Sequence, residues 1–183
     1  MRVLVIYASA DGSTAGIAER IAERLRHRGH HASLHPVGEA GSVEGADAVV
    51  LGSAVHARRW LDEATAFVDT HHLELRDRPL WTFSVGMPDA LPRWARRLAR
   101  REEEAVMVQL GDLRPVSHRL FSGVVAPGQF PPASRLFLRL TRARYGDFRD
   151  WASIEAWADE IAERLDDTAG EAADRARRGD LRL

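Results

Sequence analysis

The chain has 183 residues, with 26 basic and 27 acidic side chains, a formal net charge of −1 and no cysteine. This length suffices for one sizeable hydrophobic core and is short for two, and the near balance of charge argues against a general nucleic-acid binder. The absence of cysteine excludes disulfides, thiolate metal sites and cysteine nucleophiles.

The first predicted elements are a buried strand and an amphipathic helix, joined by a loop of small residues. Val3–Ile6 is a nearly continuous β-branched run, typical of a strand that is buried on both faces of a parallel sheet. Apolar residues then recur at helical spacing until Gly29, at Ile17, Ile21, Ala22 and Leu25. The loop between them consists of Ser9, Ala10, Asp11, Gly12, Ser13 and Thr14.

This loop has the composition of an anion-binding site. Unpaired N–H groups at the start of the helix, hydroxyl side chains and a glycine that permits close approach favour a bound phosphate. No lysine follows Gly12, which excludes a nucleoside-triphosphate P-loop, and the G-x-G-x-x-G spacing of dinucleotide sites is absent. A cradle of hydroxyls and amides without a fixed cation suits the phosphate of flavin mononucleotide (FMN). The alternative is an ordinary capped turn between a strand and a helix.

The next part of the chain predicts two further strands. His31–His35 is predicted as a short strand, and Val37–Gly45 as a weak helix or a loop. Ala48–Gly52 is predicted as a buried strand that ends in a loop, Ser53–Trp60. We interpret three neighbouring histidines as structural or solvated side chains, and therefore expect no metal site: His30, His31 and His35.

The middle of the chain continues the alternation of helices and strands. Leu61–Val68 predicts an amphipathic helix, and Leu80–Val85 predicts a strand followed by a turn at Gly86–Pro88. Asp89 is expected to cap another helix, which has apolar residues at Leu91, Trp94, Ala95 and Leu98. Val116–Val125 is the predicted fifth strand.

The last third of the chain contains an insert and a closing helix. Pro127–Pro132 cannot continue a strand, and Ala133–Arg144 predicts a short basic amphipathic helix that either lies on an anionic surface or packs on its own domain. Asp150 is expected to cap a helix with an apolar stripe from Trp151 to Leu165. We expect one domain over residues 1–165, with the insert at about 127–149, and a polar tail at 166–183 that is a frayed helix or disordered.

The Ser9–Thr14 loop resembles the S/T-x-T-G-x-T loop of flavodoxins, and the order of elements resembles that family along most of the chain. Three features are similar to one branch, the menaquinone-dependent protoporphyrinogen oxidases: the Asp11-Gly12 pair, Gly52–Val55 and the Arg-rich insert. The resemblance implies an α/β three-layer sandwich with a five-stranded parallel sheet of order 2-1-3-4-5. It also implies an FMN enzyme that oxidises a porphyrinogen and passes electrons to a quinone.

In such a sheet, ligands bind beyond the carboxyl ends of the strands where the strand order reverses. Residues of three loops are therefore expected to bind the cofactor: Ser9, Ala10, Asp11, Gly12, Ser13, Thr14, Ser53, Ala54, Val55, His56, Trp60, Val85, Gly86 and Met87. Trp60 either stacks on the flavin ring or packs on the following helix. His56 and Arg58 are the candidate catalytic side chains, and Arg58 or Arg59 either stabilises a reduced flavin or is merely solvated.

The chain has no G-x-S-x-G elbow or H-E-x-x-H pair, so its chemistry is expected to come from the flavin. Two functions remain open: an FMN-dependent oxidoreductase acting on a porphyrinogen or a quinone, and a flavodoxin-type electron carrier that serves a protein partner. The balanced charge departs from the acidic surface of electron-carrying flavodoxins. We expect a cytoplasmic protein, with peripheral membrane contact through residues 130–144 and a homodimer as open alternatives.

Overall fold

The computed structural model describes residues 1–90, 105–126 and 145–180, with side chains as far as residue 171. The strands are β1 Arg2–Ala8, β2 His31–Pro36, β3 Ala48–His56, β4 Arg59–Trp60, β5 Leu80–Gly86, β6 Ser117–Ser122, β7 Val124–Val125 and β8 Gly146–Asp147. The labelled α-helices are α1 Ser13–His27, α2 Asp62–Thr70, α3 His72–Arg76 and α4 Trp151–Asp180. Val37–Glu39 forms a 3₁₀ turn, and residues 105–109 are also helical.

Five parallel strands form the main sheet in the order β2-β1-β3-β5-β6, and the short strand β4 pairs antiparallel with β3. Counted over the parallel strands alone, this is the predicted order 2-1-3-4-5, which is confirmed. In the register, Val5 lies between Leu34 of β2 and Val50 of β3. The carboxyl ends of the parallel strands meet at one edge of the sheet.

Each face of the sheet is covered by a separate hydrophobic core. Val3 and Val5 point to the face covered by α1 and α4, whereas Leu4 and Ile6 point to the face covered by α2 and α3. Side chains alternate between the faces of a strand, so an apolar residue at every position indicates burial on both sides. The predicted three-layer sandwich is therefore confirmed.

Helices α1 and α4, which cover the same face of the sheet, are held together by apolar packing and by ion pairs. Arg24 donates two hydrogen bonds of 2.8 Å to the carboxylate of Asp159, which holds the pKa of Asp159 below its usual value. Arg20 pairs with Glu155 at 3.0 Å. These pairs are partly exposed, so they fix the relative position of α1 and α4 more than they stabilise the fold.

The closing helix begins as predicted and ends later than predicted. Asp150 caps it, because its Oδ1 accepts the Ser153 N–H at 3.1 Å. The helix continues beyond Leu165 to Asp180, so the tail is helical that far, and the disordered alternative is wrong for these residues. Residues 166–180 contain four Ala, three Arg and one Glu, which are good helix formers, and no proline. Among the described residues, no helix is long and apolar enough to cross a membrane.

The predicted fifth strand, Val116–Val125, is divided in the structure. β6 ends at Ser122, and after Gly123 the chain leaves the sheet to form β7, which pairs antiparallel with β8. Gly123 fits closely at this point, because a Cβ there would lie 2.9 Å from Cγ1 of Val85 and 3.1 Å from Cβ of Ser13. The helix predicted after Asp89 and the insert segments Pro127–Pro132 and Ala133–Arg144 lie mostly or wholly outside the described residues.

A glycine in β3 makes room for aromatic side chains in the core between the sheet and helices α1 and α4. Phe83 is the β5 neighbour of Gly52, and its ring also contacts Phe121 and Trp157, with ring centroids 6.2 and 6.0 Å away. A Cβ at position 52 would lie 2.0 Å from the Phe83 ring. The aromatic cluster therefore requires glycine at this position.

We expect Gly52→Ala to lower the free energy of unfolding by about 1–3 kcal/mol, because the added methyl group overpacks a close-packed core. Urea unfolding followed by circular dichroism measures the effect. Gly38→Ala is the matched control, because a Cβ there meets no atom within 4 Å. Equal urea midpoints for the two variants would contradict this account of the packing.

Candidate functional site

A cleft lies at the carboxyl edge of the sheet, where the strand order reverses. Four segments contribute to it, at or directly after the carboxyl ends of β1, β3, β5 and β6. The residues that line it are Ala10, Asp11, Ser13, Thr14, Ala54, Val55, His56, Val85, Gly86, Met87, Gly123, Val124 and Val125. The structure thus brings together most of the residues that the sequence predicted for the site.

The loop after β1 presents the start of α1 to the cleft. Gly12 has a φ of 85°, a left-handed conformation that favours glycine. The first helical bond runs from the Gly16 N–H to the Gly12 carbonyl at 3.1 Å. The N–H groups of Ser13, Thr14 and Ala15 therefore have no carbonyl partner inside α1, and the positive end of the helix dipole lies beside the cleft.

The hydroxyl groups of this loop have different roles. Ser9 Oγ accepts the Gly12 N–H at 3.0 Å, which stabilises the turn itself. Ser13 Oγ accepts the Val124 N–H at 3.0 Å and so joins the loop to β7. Thr14 lines the cleft although only 1% of the residue is exposed. Ser9 and Gly12 therefore shape the loop, whereas Ser13 and Thr14 lie on the cleft.

The segment Ser53–Trp60 was predicted as a loop and is instead a β-hairpin. β3 continues to His56 and pairs with β4 through a two-residue turn, in which Ala57 and Arg58 have φ values of 49° and 63°. Positive φ at both central positions is the geometry of a type I′ turn, which matches the twist of paired strands. His56, Arg58 and Arg59 are all exposed on the hairpin, and His56 is the one of the three that lines the cleft.

Two residues predicted for the site lie in the protein interior. Trp60 is 2% exposed, and its Nε1 donates to Ser84 Oγ at 2.8 Å. Ser53 is fully buried, and its Oγ accepts the Leu61 N–H at 3.1 Å. The structure therefore places Trp60 in the core beside α2, which is the packing alternative, rather than on the wall of the cleft. Ala54, Val55 and His56 form that wall.

The wall formed by Val85–Met87 is fixed by hydrogen bonds to the end of β6. The Gly123 N–H donates to the Gly86 carbonyl at 2.9 Å. Ser122 Oγ donates to Asp89 Oδ2 at 2.6 Å and accepts the Asp89 N–H at 3.1 Å. Gly123, Val124 and Val125 were missed as site residues. The signal was Gly123 itself, because a glycine inside a predicted strand marks a bulge or a close approach.

The chemistry of the cleft combines an anion-binding end with apolar walls. The N–H groups at the start of α1 lie at one end, and Ala54, Val55, Val85 and Val124 supply apolar surface. Among the described residues of the lining, Asp11 is the one acidic side chain and His56 is the one histidine. Among the described residues, no group of three His, Asp or Glu side chains could hold a metal ion. These residues fit a flat apolar ring that carries a phosphate.

A family model described as "Flavodoxin domain" matches residues 4–150 of the chain. No curated protein sequence matches the chain. Several solved structures share its fold. A flavodoxin from the domain Archaea is 16% identical, with a TM-score of 0.54, over 91% of this chain and 99% of that one.

Two further structures have the same TM-score of 0.54. Flavodoxin 2 from Bacillus cereus is 21% identical over 90% of this chain and 99% of its own. The rubredoxin oxygen:oxidoreductase from Desulfovibrio gigas is 16% identical over 90% of this chain, which spans 36% of that protein. At these identities the structural neighbours show the fold alone.

We expect Trp60→Phe to lower the free energy of unfolding by about 1–3 kcal/mol, because it leaves the buried Ser84 hydroxyl without its indole partner. Ser84→Ala removes the same bond from the other side. A double-mutant cycle by urea unfolding should show that the combined variant loses less stability than the sum of the two single variants. Strict additivity would contradict a direct contribution of this bond.

Proposed function

Because the chain belongs to the flavodoxin domain family, we propose that it binds one FMN non-covalently in the cleft and acts in oxidation–reduction. The observation that carries the proposal is the start of α1, where three N–H groups without helical partners lie beside apolar walls supplied by other strands. A bound flavin supplies hydride and single-electron transfer. The protein supplies the binding site and its electrostatics.

Each wall has a separate task in this proposal. The N–H groups of Ser13, Thr14 and Ala15 and the Thr14 hydroxyl bind the phosphate. Ala54 and Val55 flank the ring on one side, and the segment from Val85 to Met87 flanks it on the other. Arg58 and Arg59 are exposed on the hairpin, where neither forms an ion pair with a described residue. Their charges favour an anionic, reduced ring.

At the finer level, the proposed activity is that of an FMN-dependent oxidoreductase which resembles the menaquinone-dependent protoporphyrinogen oxidases and passes electrons to a quinone. The sequence resemblance at Asp11-Gly12 and Gly52–Val55 supports it. A net charge of −1 and a cationic hairpin also separate this chain from carriers that dock through acidic rims. His56 and Arg58 remain the candidate catalytic side chains.

The alternative is an electron carrier or FMN-binding redox module that serves a protein partner. One observation favours it: His56 and Asp11 are the titratable side chains on the described lining of the cleft, so proton transfer has few candidate groups. The proposal also includes a porphyrinogen or quinone as the substrate. It further includes a homodimer and peripheral membrane contact through residues 130–144 as open alternatives. That segment lies outside the described residues.

We expect the purified protein to quench the fluorescence of FMN on titration, and Thr14→Asp to abolish the quenching by placing a carboxylate against the phosphate. Thr168→Asp is the control, because Thr168 is exposed on α4. Circular dichroism checks that each variant is folded, and Thr14→Val tests the hydroxyl without adding charge. Tight binding of an adenine dinucleotide alone would rule out the mononucleotide site.

Reoxidation kinetics should separate the enzyme from the carrier. We expect the reduced, FMN-loaded protein to be reoxidised by a menaquinone analogue faster than free reduced FMN. Arg58→Gln should speed this step further, because it removes a positive charge that stabilises the reduced ring relative to the oxidised ring. Stopped-flow absorbance of the flavin measures both rates. If no quinone exceeds the rate with free FMN while a flavodoxin reductase reduces the protein rapidly, the carrier is the correct function.

A further inference from the structure

Asp11 places a negative charge at the end of the cleft that is built for an anion. It is exposed, lines the cleft and immediately precedes Gly12, two positions before the first residue of α1. No other residue of the described lining is acidic, and none is Arg or Lys. A carboxylate and the positive end of a helix therefore share one rim.

Among the described residues, neither a neighbouring cation nor a group of the loop binds this carboxylate. Asp11 forms no ion pair and no hydrogen bond with any described residue. Arg149 lies over the first turn of α1, since a Cβ at Gly16 would be 2.9 Å from its Nη1. Its guanidinium already pairs with Asp147 at 2.6 Å and stacks over the Trp151 ring at 4.6 Å.

The charge on a phosphate monoester makes this arrangement consequential. Such a group carries about 1.5 to 2 negative charges at neutral pH. The helix start attracts it, whereas the Asp11 carboxylate repels it, and the repulsion grows with the charge of the phosphate. The two effects act on the same group of the ligand and oppose each other.

We propose that Asp11 is a specificity-determining residue that weakens the hold of the cleft on the flavin phosphate and keeps the flavin in exchange with free flavin. The inference rests on the proposed function, because it takes FMN as the ligand. The α1 start still selects a phosphate-bearing flavin. Asp11 limits the strength of that selection, so that bound and free cofactor interchange rapidly.

The test compares FMN with riboflavin, which has the same ring and lacks the phosphate. We expect Asp11→Asn to bind FMN roughly tenfold more tightly than the parent chain and to release it more slowly, as removal of one like charge near a phosphate implies. Riboflavin affinity should not change. Fluorescence quenching gives the affinities, and stopped-flow displacement by excess flavin analogue gives the release rates.

Two further variants keep the result interpretable. Asp11→Glu retains the charge and should bind FMN like the parent chain. Asp69→Asn removes one exposed charge near the C-terminal end of α2, away from the cleft, and should change neither affinity. The difference between Asp11→Asn and the parent chain should also shrink at high salt, because ions screen exposed charges.

The possible results separate this inference from the function on which it rests. If the parent chain binds neither flavin, the proposed function fails. If it binds FMN but Asp11→Asn leaves FMN affinity and release unchanged, the role of Asp11 is wrong and FMN binding stands. An equal gain for riboflavin and FMN would also overturn the inference, because it would show that Asp11 acts through loop shape rather than phosphate charge.

Discussion

Burial of the central strands on both faces is the constraint on which the rest of the structure depends. β1 directs Val5 into one core and Ile6 into the other, and both side chains are fully buried. A strand of this kind needs a helical layer on each side, and parallel strands need crossover connections long enough to supply those helices. The connections therefore all turn at the two ends of the strands, and the cleft forms at one of those ends.

The cleft is held in shape by hydrogen bonds between segments that are far apart in sequence. Ser13 bonds the loop after β1 to β7, and the Gly123 N–H bonds the end of β6 to Gly86 of β5. The hairpin is fixed below its tip by the indole of Trp60 against Ser84. These contacts set the separation of the walls before any ligand binds. The described walls are therefore already in place for a ligand, which lowers the entropy cost of binding one.

Local patterns were sufficient to predict the layers and residues in three of the four segments that line the cleft. The apolar run of β1 and the helical spacing of α1 identified both elements and the loop between them, because each follows from a short period in the sequence. The hairpin and the burial of Trp60 could not be predicted in this way. The turn at Ala57 and Arg58 has no Asn-Gly signal, and Trp60 is placed by its partners Val55 and Ser84, which the sequence alone does not bring together.

The pairing of β7 with β8 affects how freely the chain can vary in length. Val125 and Gly146 are partners across this two-stranded ribbon, so residues 126 and 145 lie at neighbouring points of the fold. The entropy lost when a connection is closed grows only logarithmically with its length, by about 0.6 kcal/mol for each doubling. Homologous proteins could therefore lengthen, shorten or replace this connection during evolution at little thermodynamic cost, while the sheet and the remaining walls keep their positions.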